Sequence, residues 1–208
     1  MIEQGLFHAA KLGVKTPLPA SWLGRADAPN LLPQWATINN LTSAQVQNLQ
    51  AQIGYDYSTW DYRKVGNNNE LGRYQFTTTQ LEDYGLLTFG SNKAYGIDCI
   101  NRRACWKSSI IRSSNSYANY IYNVTNLDEF LNSKASQDHL CYQRIYDLYN
   151  ELTVSGGIQP SDTAETIAGM ISVAWLLGNG AYNWRYYNIG DGANAFNSGR
   201  YAVAVLSQ

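Results

Sequence analysis

The chain has 208 residues, enough for one domain with a sizeable core, or for one domain and an arm. Hydrophobic residues make up 45% of it and charged residues only 15%, which excludes the weakly hydrophobic, highly charged make-up of a disordered chain. A net charge of −1 offers a polyanion no broad basic face, and no apolar run reaches the roughly 20 residues of a bilayer span, so neither nucleic acid nor a membrane is an expected partner.

The N-terminus, MIEQGLFHAAKLG, has neither a basic start nor a long apolar stretch and does not read as a signal peptide. Four of the five prolines (Pro17, Pro19, Pro29 and Pro33) fall in the first 41 residues. Proline removes a backbone donor and fixes φ, so residues 1–41 are expected to form an extended arm. The arm carries Leu18, Trp22, Leu23, Leu31, Leu32 and Trp35, which are costly to leave in water, so it is expected to lie on its own domain or on a neighbouring protein.

A domain is expected over residues 42–208. Val46, Leu49 and Ile53 have helical spacing behind Thr42 or Ser43 as N-cap. From Tyr55 to Phe76 the helical period is lost, and Asn67, Asn68 and Asn69 punctuate apolar stretches, which reads as short strands and a turn. Thr79 with Glu82 suggests a capping box and Gly85 a stop, predicting a short helix over Thr77–Tyr84. A loop-rich stretch runs to about Ser116. Helices are predicted near Leu127–Asn132, Gln137–Thr153 and Asp162–Leu177, with a terminal one over Gly199–Ser207. The sequence TAETIAGMISVAWLLG is apolar nearly all round, the mark of a central buried helix. The expected class is mainly α (α+β), with a small hairpin and a cleft beside it.

Cys99 and Cys105 flank a short loop, and the spacing leaves open a small disulfide ring or two reduced thiols, while Cys141 fits a core position. The two histidines, His8 and His139, are far apart in sequence and no Cys-x-x-Cys pair exists, so no metal and no cofactor is expected. Tyrosine and tryptophan outnumber phenylalanine, 16 and 6 against 5, a bias that suits sugar rings and protein interfaces as well as half-buried packing.

Three stretches together are similar to the phage lysozyme and lytic transglycosylase group of the lysozyme-like superfamily. Leu71-Gly72-Arg73-Tyr74-Gln75-Phe76 followed by TTTQLEDYG resembles its Gly-x-Tyr-Gln-Phe segment. QDHLCYQRIYDLYNEL with SDTAETIAGMISVAWLLGNG resembles its paired core helices, and GDGANAFNSGRY its terminal loop and helix. The resemblance covers roughly residues 42 to 205, in the group's order. It implies a lysozyme-like domain and action on the β-1,4 bond of peptidoglycan. It also implies a place in a phage tail or baseplate, made in the host cytoplasm, with other virion proteins and peptidoglycan as partners.

Glycan cleavage in that group needs a carboxylic acid to protonate the glycosidic oxygen. The resemblance places this acid at the end of the first helix, and the matching position here is Tyr57, within Ile53-Gly54-Tyr55-Asp56-Tyr57-Ser58. A phenol, with an ordinary pKa near 10, is a weak proton donor beside a carboxyl group. Asp56 is the adjacent candidate, one methylene shorter than Glu and turned about 100° around the helix. Glu70 is the second, as the other carboxyl of a glycosidase pair or as a turn residue in an Asn-rich loop. Tyr74 and Gln75 match the group's cleft-lining pair, with packing as the competing role. The resemblance places Trp175 where the group often has His, and Asn194 where it often has Asp. Trp60, Trp106 and Trp184 are candidates for stacking on sugars, or for core. Together these departures predict a scaffold whose chemistry has changed or stopped; the alternative is an active peptidoglycan hydrolase using Asp56 or Glu70.

Overall fold

A computed structural model describes residues 38–107, 109–111, 120–122, 124–178 and 190–204. The prolines and apolar residues of the arm up to residue 37, His8 and Trp184 lie outside them. The described chain is mainly helical. In order it forms α1 (Ser43–Ser58), α2 (Thr78–Asp83), α3 (Ser91–Tyr95), two short 3-10 helices (Gly96–Asn101 and Arg103–Cys105), β1 (Ser109–Ile111), β2 (Tyr120–Tyr122), α4 (Leu127–Asn132), α5 (Lys134–Val154), α6 (Ala164–Leu177) and α7 (Gly190–Ala204).

The helix starts follow from local chemistry. At α1 the Thr42 hydroxyl accepts from the Gln45 amide at 3.2 Å, and the Gln45 side chain accepts from the Thr42 amide at 2.8 Å. This reciprocal pair satisfies two donors that a helix start leaves orphaned. The same device opens α2, but with Thr77 and Gln80 rather than Thr79 and Glu82. Three threonines in a row offer three caps, and the choice falls to the first because Phe76 before it is fully buried. Asn126 caps α4 and Thr163 caps α6.

Two expectations shift. Residues 57–76 form isolated bridges, Val65 with Leu71 and Leu71 with Phe76, separated by tight turns that leave no room for a ladder. An antiparallel ladder forms instead between β1, inside the stretch read as loop, and β2, just beyond its end near Ser116, with Ile110 opposite Ile121. The terminal helix begins nine residues earlier than predicted and is described to Ala204.

The chain divides into two compact units. The first holds residues 38–56, 142–178 and 190–204. Its centre is α6, where every residue from Ile167 to Leu176 is buried. At roughly 1.5–3 kcal/mol per large apolar side chain, that one helix supplies a large share of the unit's hydrophobic stabilisation. Helix α7 packs on it at backbone distance: a Cβ on Gly199 would meet the Ala168 carbonyl oxygen at 2.4 Å.

The second unit, residues 57–141, is short in helix and rich in turns. Its core is built on Leu71, Phe76, Leu81, Leu86, Leu87 and Phe130. The Phe130 ring lies 6.5 Å from Phe76 and 5.8 Å from Trp106. The chain enters it through Thr59 and Trp60, both left-handed at φ 59° and 68°. That region is uncommon for residues with a side chain and is a genuine outlier for β-branched threonine.

Candidate functional site

Of the residues singled out from the sequence, Asp56, Trp175 and Asn194 belong to the first unit, and Tyr57, Glu70, Tyr74 and Gln75 to the second. Asp56 is half-buried near the end of α1. Its Oδ1 accepts from Gln52 Nε2 at 3.0 Å and its Oδ2 from the Ser198 hydroxyl at 2.6 Å. Both oxygens therefore act as acceptors, and the carboxyl group ties α1 to α7. Asn194 is exposed on α7, one helical turn before Ser198 and so on the same face. Trp175 is buried near the end of α6.

Tyr57 is half-buried, one residue before α1 ends, and its carbonyl accepts from Lys64 Nζ at 2.6 Å. Glu70 is a turn residue, though not a solvated one: it is only 4% exposed. Its Oε2 accepts from the Asn68 amide and its Oε1 from Asn68 Nδ2, each at 3.1 Å, while its carbonyl accepts from Gly66 at 2.7 Å. The carboxylate thus folds back on the asparagine turn and holds it closed.

Tyr74 and Gln75 are packed inward. The side-chain amide of Gln75, a residue itself at φ 53°, donates to the Gly72 carbonyl at 2.8 Å, with the Lys64 and Glu70 carbonyls 3.3 and 3.4 Å away. It staples the turn from the inside. Tyr74 is fully buried and its hydroxyl donates to Asp138 Oδ1 at 2.7 Å.

That bond belongs to a buried polar network. Tyr62 also donates to Asp138 Oδ1, at 2.7 Å, and Arg73 Nη1 donates to the Tyr62 hydroxyl at 2.6 Å. Arg73 is 1% exposed, with its guanidinium 4.7 Å from the Tyr62 ring centre and 5.8 Å from that of Tyr74. Gln137 accepts from the Arg73 amide at 2.8 Å and donates to the Phe130 and Tyr62 carbonyls at 2.9 and 3.1 Å. Gly72 is required here on two counts, a φ of 75° and a Cβ position 2.2 Å from Gln137 Oε1. Burial first, then the charge of Asp138, holds both phenols well above the ordinary tyrosine range. They act as fixed hydrogen-bond donors to the carboxylate. Burial likewise pushes His139 down to about 3, so it stays neutral at neutral pH.

Sequence reasoning missed Tyr62, Gln137 and Asp138. The run Ser136-Gln137-Asp138-His139 looks like the solvated face of a helix, yet all four residues are buried. The available signal was Arg73, the one charged side chain of the hexapeptide Leu71–Phe76, which needs polar partners if that segment is buried. Of the tryptophans, Trp106 is committed to the core, its Nε1 donating to the Ile100 carbonyl at 2.9 Å, and Trp60 is 8% exposed.

An apolar hollow of about 470 Å³ lies against α5 and α6, lined by Leu148, Leu152, Val154 and Ala174, and none of the candidate residues lines it. Among the described residues no group of three His, Cys, Asp or Glu side chains is placed to hold a metal, and no helix is long and apolar enough to cross a membrane. Comparison with known protein families, with characterised proteins and with solved structures finds no match to this chain.

Proposed function

We propose that this chain is a structural component of a phage virion, in the tail or baseplate, built on a lysozyme-like scaffold that contacts peptidoglycan glycan without cutting it. The arm over residues 1–41 joins it to other virion proteins. The observation that carries the reading is the use made of the acid-bearing positions. A phenol, Tyr57, stands where the resemblance calls for the proton donor, and the two candidate carboxyl groups beside it in sequence are engaged in holding structure. Asp56 bridges Gln52 and Ser198, and Glu70 closes its own turn on Asn68. A glycosidic acid needs an apolar pocket that keeps its proton, together with open space for the leaving oxygen. The mainly helical fold and the buried α6 are in keeping with the scaffold.

The test is turbidity clearing and release of soluble fragments from purified peptidoglycan by the full chain, between about pH 4 and pH 8. No clearing is expected, while the chain co-sediments with the insoluble wall. Clearing that is lost in Asp56→Asn or Glu70→Gln sinks the reading in favour of an active hydrolase. Failure to co-sediment removes the glycan contact.

A further inference from the structure

Residues 88–107 hold Lys93, Arg102, Arg103 and Lys107 against one carboxylate, Asp98, a local charge of +3 in a chain whose total is −1. All five side chains are exposed, and the four cations make no salt bridge to a described residue. Among the described residues, the two aromatic side chains that stand exposed, Phe89 at 81% and Tyr95 at 49%, lie in this same segment.

The fold sets these groups on a fixed base. Leu87 bridges Trp106, the Thr88 amide donates to the Cys105 carbonyl at 2.7 Å, and the Lys107 amide donates to the Leu86 carbonyl at 2.8 Å. The Phe89 turn therefore lies beside the Arg102–Arg103 turn. In the first, the Ser91 amide closes on the Thr88 carbonyl at 2.9 Å and Gly90 stands at φ 83°, the conformation a type II turn asks of glycine, with Phe89 at the tip. The second is flanked by Cys99 and Cys105, both buried free thiols, and the Arg102 amide closes it on the Cys99 carbonyl at 3.0 Å. The Arg102 guanidinium lies 4.7 Å from the centre of the Tyr95 ring, a contact that orients ring and cation together.

An exposed aromatic ring offers a flat apolar face to a sugar ring, and an unpaired guanidinium offers a fork of donors to a carboxylate. We propose that this surface docks an acidic glycan, a sugar chain bearing carboxylates, with Phe89 and Tyr95 stacking on its rings and the four cations meeting its acid groups. A neutral glycan gives those cations no partner. A membrane surface calls for a broad apolar face, and here Phe89 is the only wholly apolar exposed ring. A nucleic acid carries a phosphate at every nucleotide, and the net charge of −4 on the rest of the chain opposes so dense a charge. Glu129 lies near Arg103, but its carboxylate is engaged by the Thr125 amide and hydroxyl at 2.6 and 3.0 Å. The inference deepens the glycan contact proposed above and rests on it for the cell wall as the source of the polymer.

The experiment titrates the native full chain by calorimetry at low salt with polygalacturonate, a soluble sugar chain with a carboxylate on every ring, and with neutral dextran. Binding to polygalacturonate that weakens as salt is added, and none to dextran, is expected. Arg102→Ala and Phe89→Ala should each weaken it by about fivefold or more, with the Tm held because both positions are exposed. Arg200→Ala removes an exposed cation from the other unit and should leave binding within about twofold. The proposal is overturned by no binding, by equal binding of dextran, or by a loss in Arg200→Ala that matches the loss in Arg102→Ala. Tighter capture of an oligo-dT strand or of phosphatidylglycerol vesicles through the same residues overturns it as well. Polygalacturonate binding without sedimentation on cell wall would sink the wall reading alone, and wall sedimentation without polygalacturonate binding would sink this one alone.

Discussion

The two compact units differ in what they bury besides apolar side chains. Around α6 the chain is regular and buries no charged side chain among the described residues, with ten consecutive buried residues, apolar but for Ser172, a neighbouring helix at backbone distance, and the carboxamides of Asn48, Gln50, Gln52 and Gln143 as further buried polar groups. In residues 57–141 a carboxylate, a guanidinium, two phenols and a carboxamide are buried beside the apolar core and hold turns that have little ladder of their own. The first arrangement tolerates changes that keep volume and apolarity. The second depends on each donor finding its acceptor, because an orphaned buried polar group costs the full desolvation penalty.

The largest effect that would sharpen this contrast is expected from Asp138→Ala, which strips the acceptor from the buried hydroxyls of Tyr62 and Tyr74. Urea denaturation should show a loss on the order of 2–6 kcal/mol, about 1–3 for each orphaned phenol donor, and a loss below about 1 kcal/mol would mean the network is no keystone. In the apolar unit the counterpart is Gly199→Val, where overpacking against the Ala168 carbonyl should cost roughly 1–3 kcal/mol. An unchanged denaturation midpoint would show that α7 can retreat freely.

Acid should act on the polar unit through His139. Its folded pKa, about 3, lies below the ordinary value of 6.5, so the unfolded chain binds more protons between those limits. Stability is complete above about pH 6.5 and falls as the pH drops towards 3, by about 1.4 kcal/mol per pH unit for this group. His139→Gln should flatten that part of the profile, and an unchanged slope would assign it elsewhere. The smallest effect, and one of opposite sign, is expected from Thr59→Gly, which relieves a left-handed threonine and should raise stability by about 1 kcal/mol. A decrease in Tm would show that the Thr59 side chain contributes more than its backbone costs.

The same contrast explains what could be read from the sequence. Helices α4, α5 and α6 were legible because apolar spacing is a local signal. Tyr74 and Gln75 were singled out as a cleft-lining pair with packing as the competing role, and both side chains lie in the interior of a turn-rich unit. Nothing local reveals this, because Asp138 is buried against the hydroxyls of Tyr74 and Tyr62, which are 64 and 76 positions away. Glu70 shows the same limit at short range. An Asn-rich turn suggests solvent, and only the folded chain shows the carboxylate turned inward upon Asn68.

The close seating of α7 has a consequence for Asp56. A helix whose main chain touches its neighbour at Gly199 can neither roll about its axis nor slip by a residue without driving an atom into the Ala168 carbonyl. Ser198, one position earlier, thus keeps its azimuth by exclusion of every other one. The hydroxyl that engages Asp56 is aimed by a missing methyl group on the residue beside it.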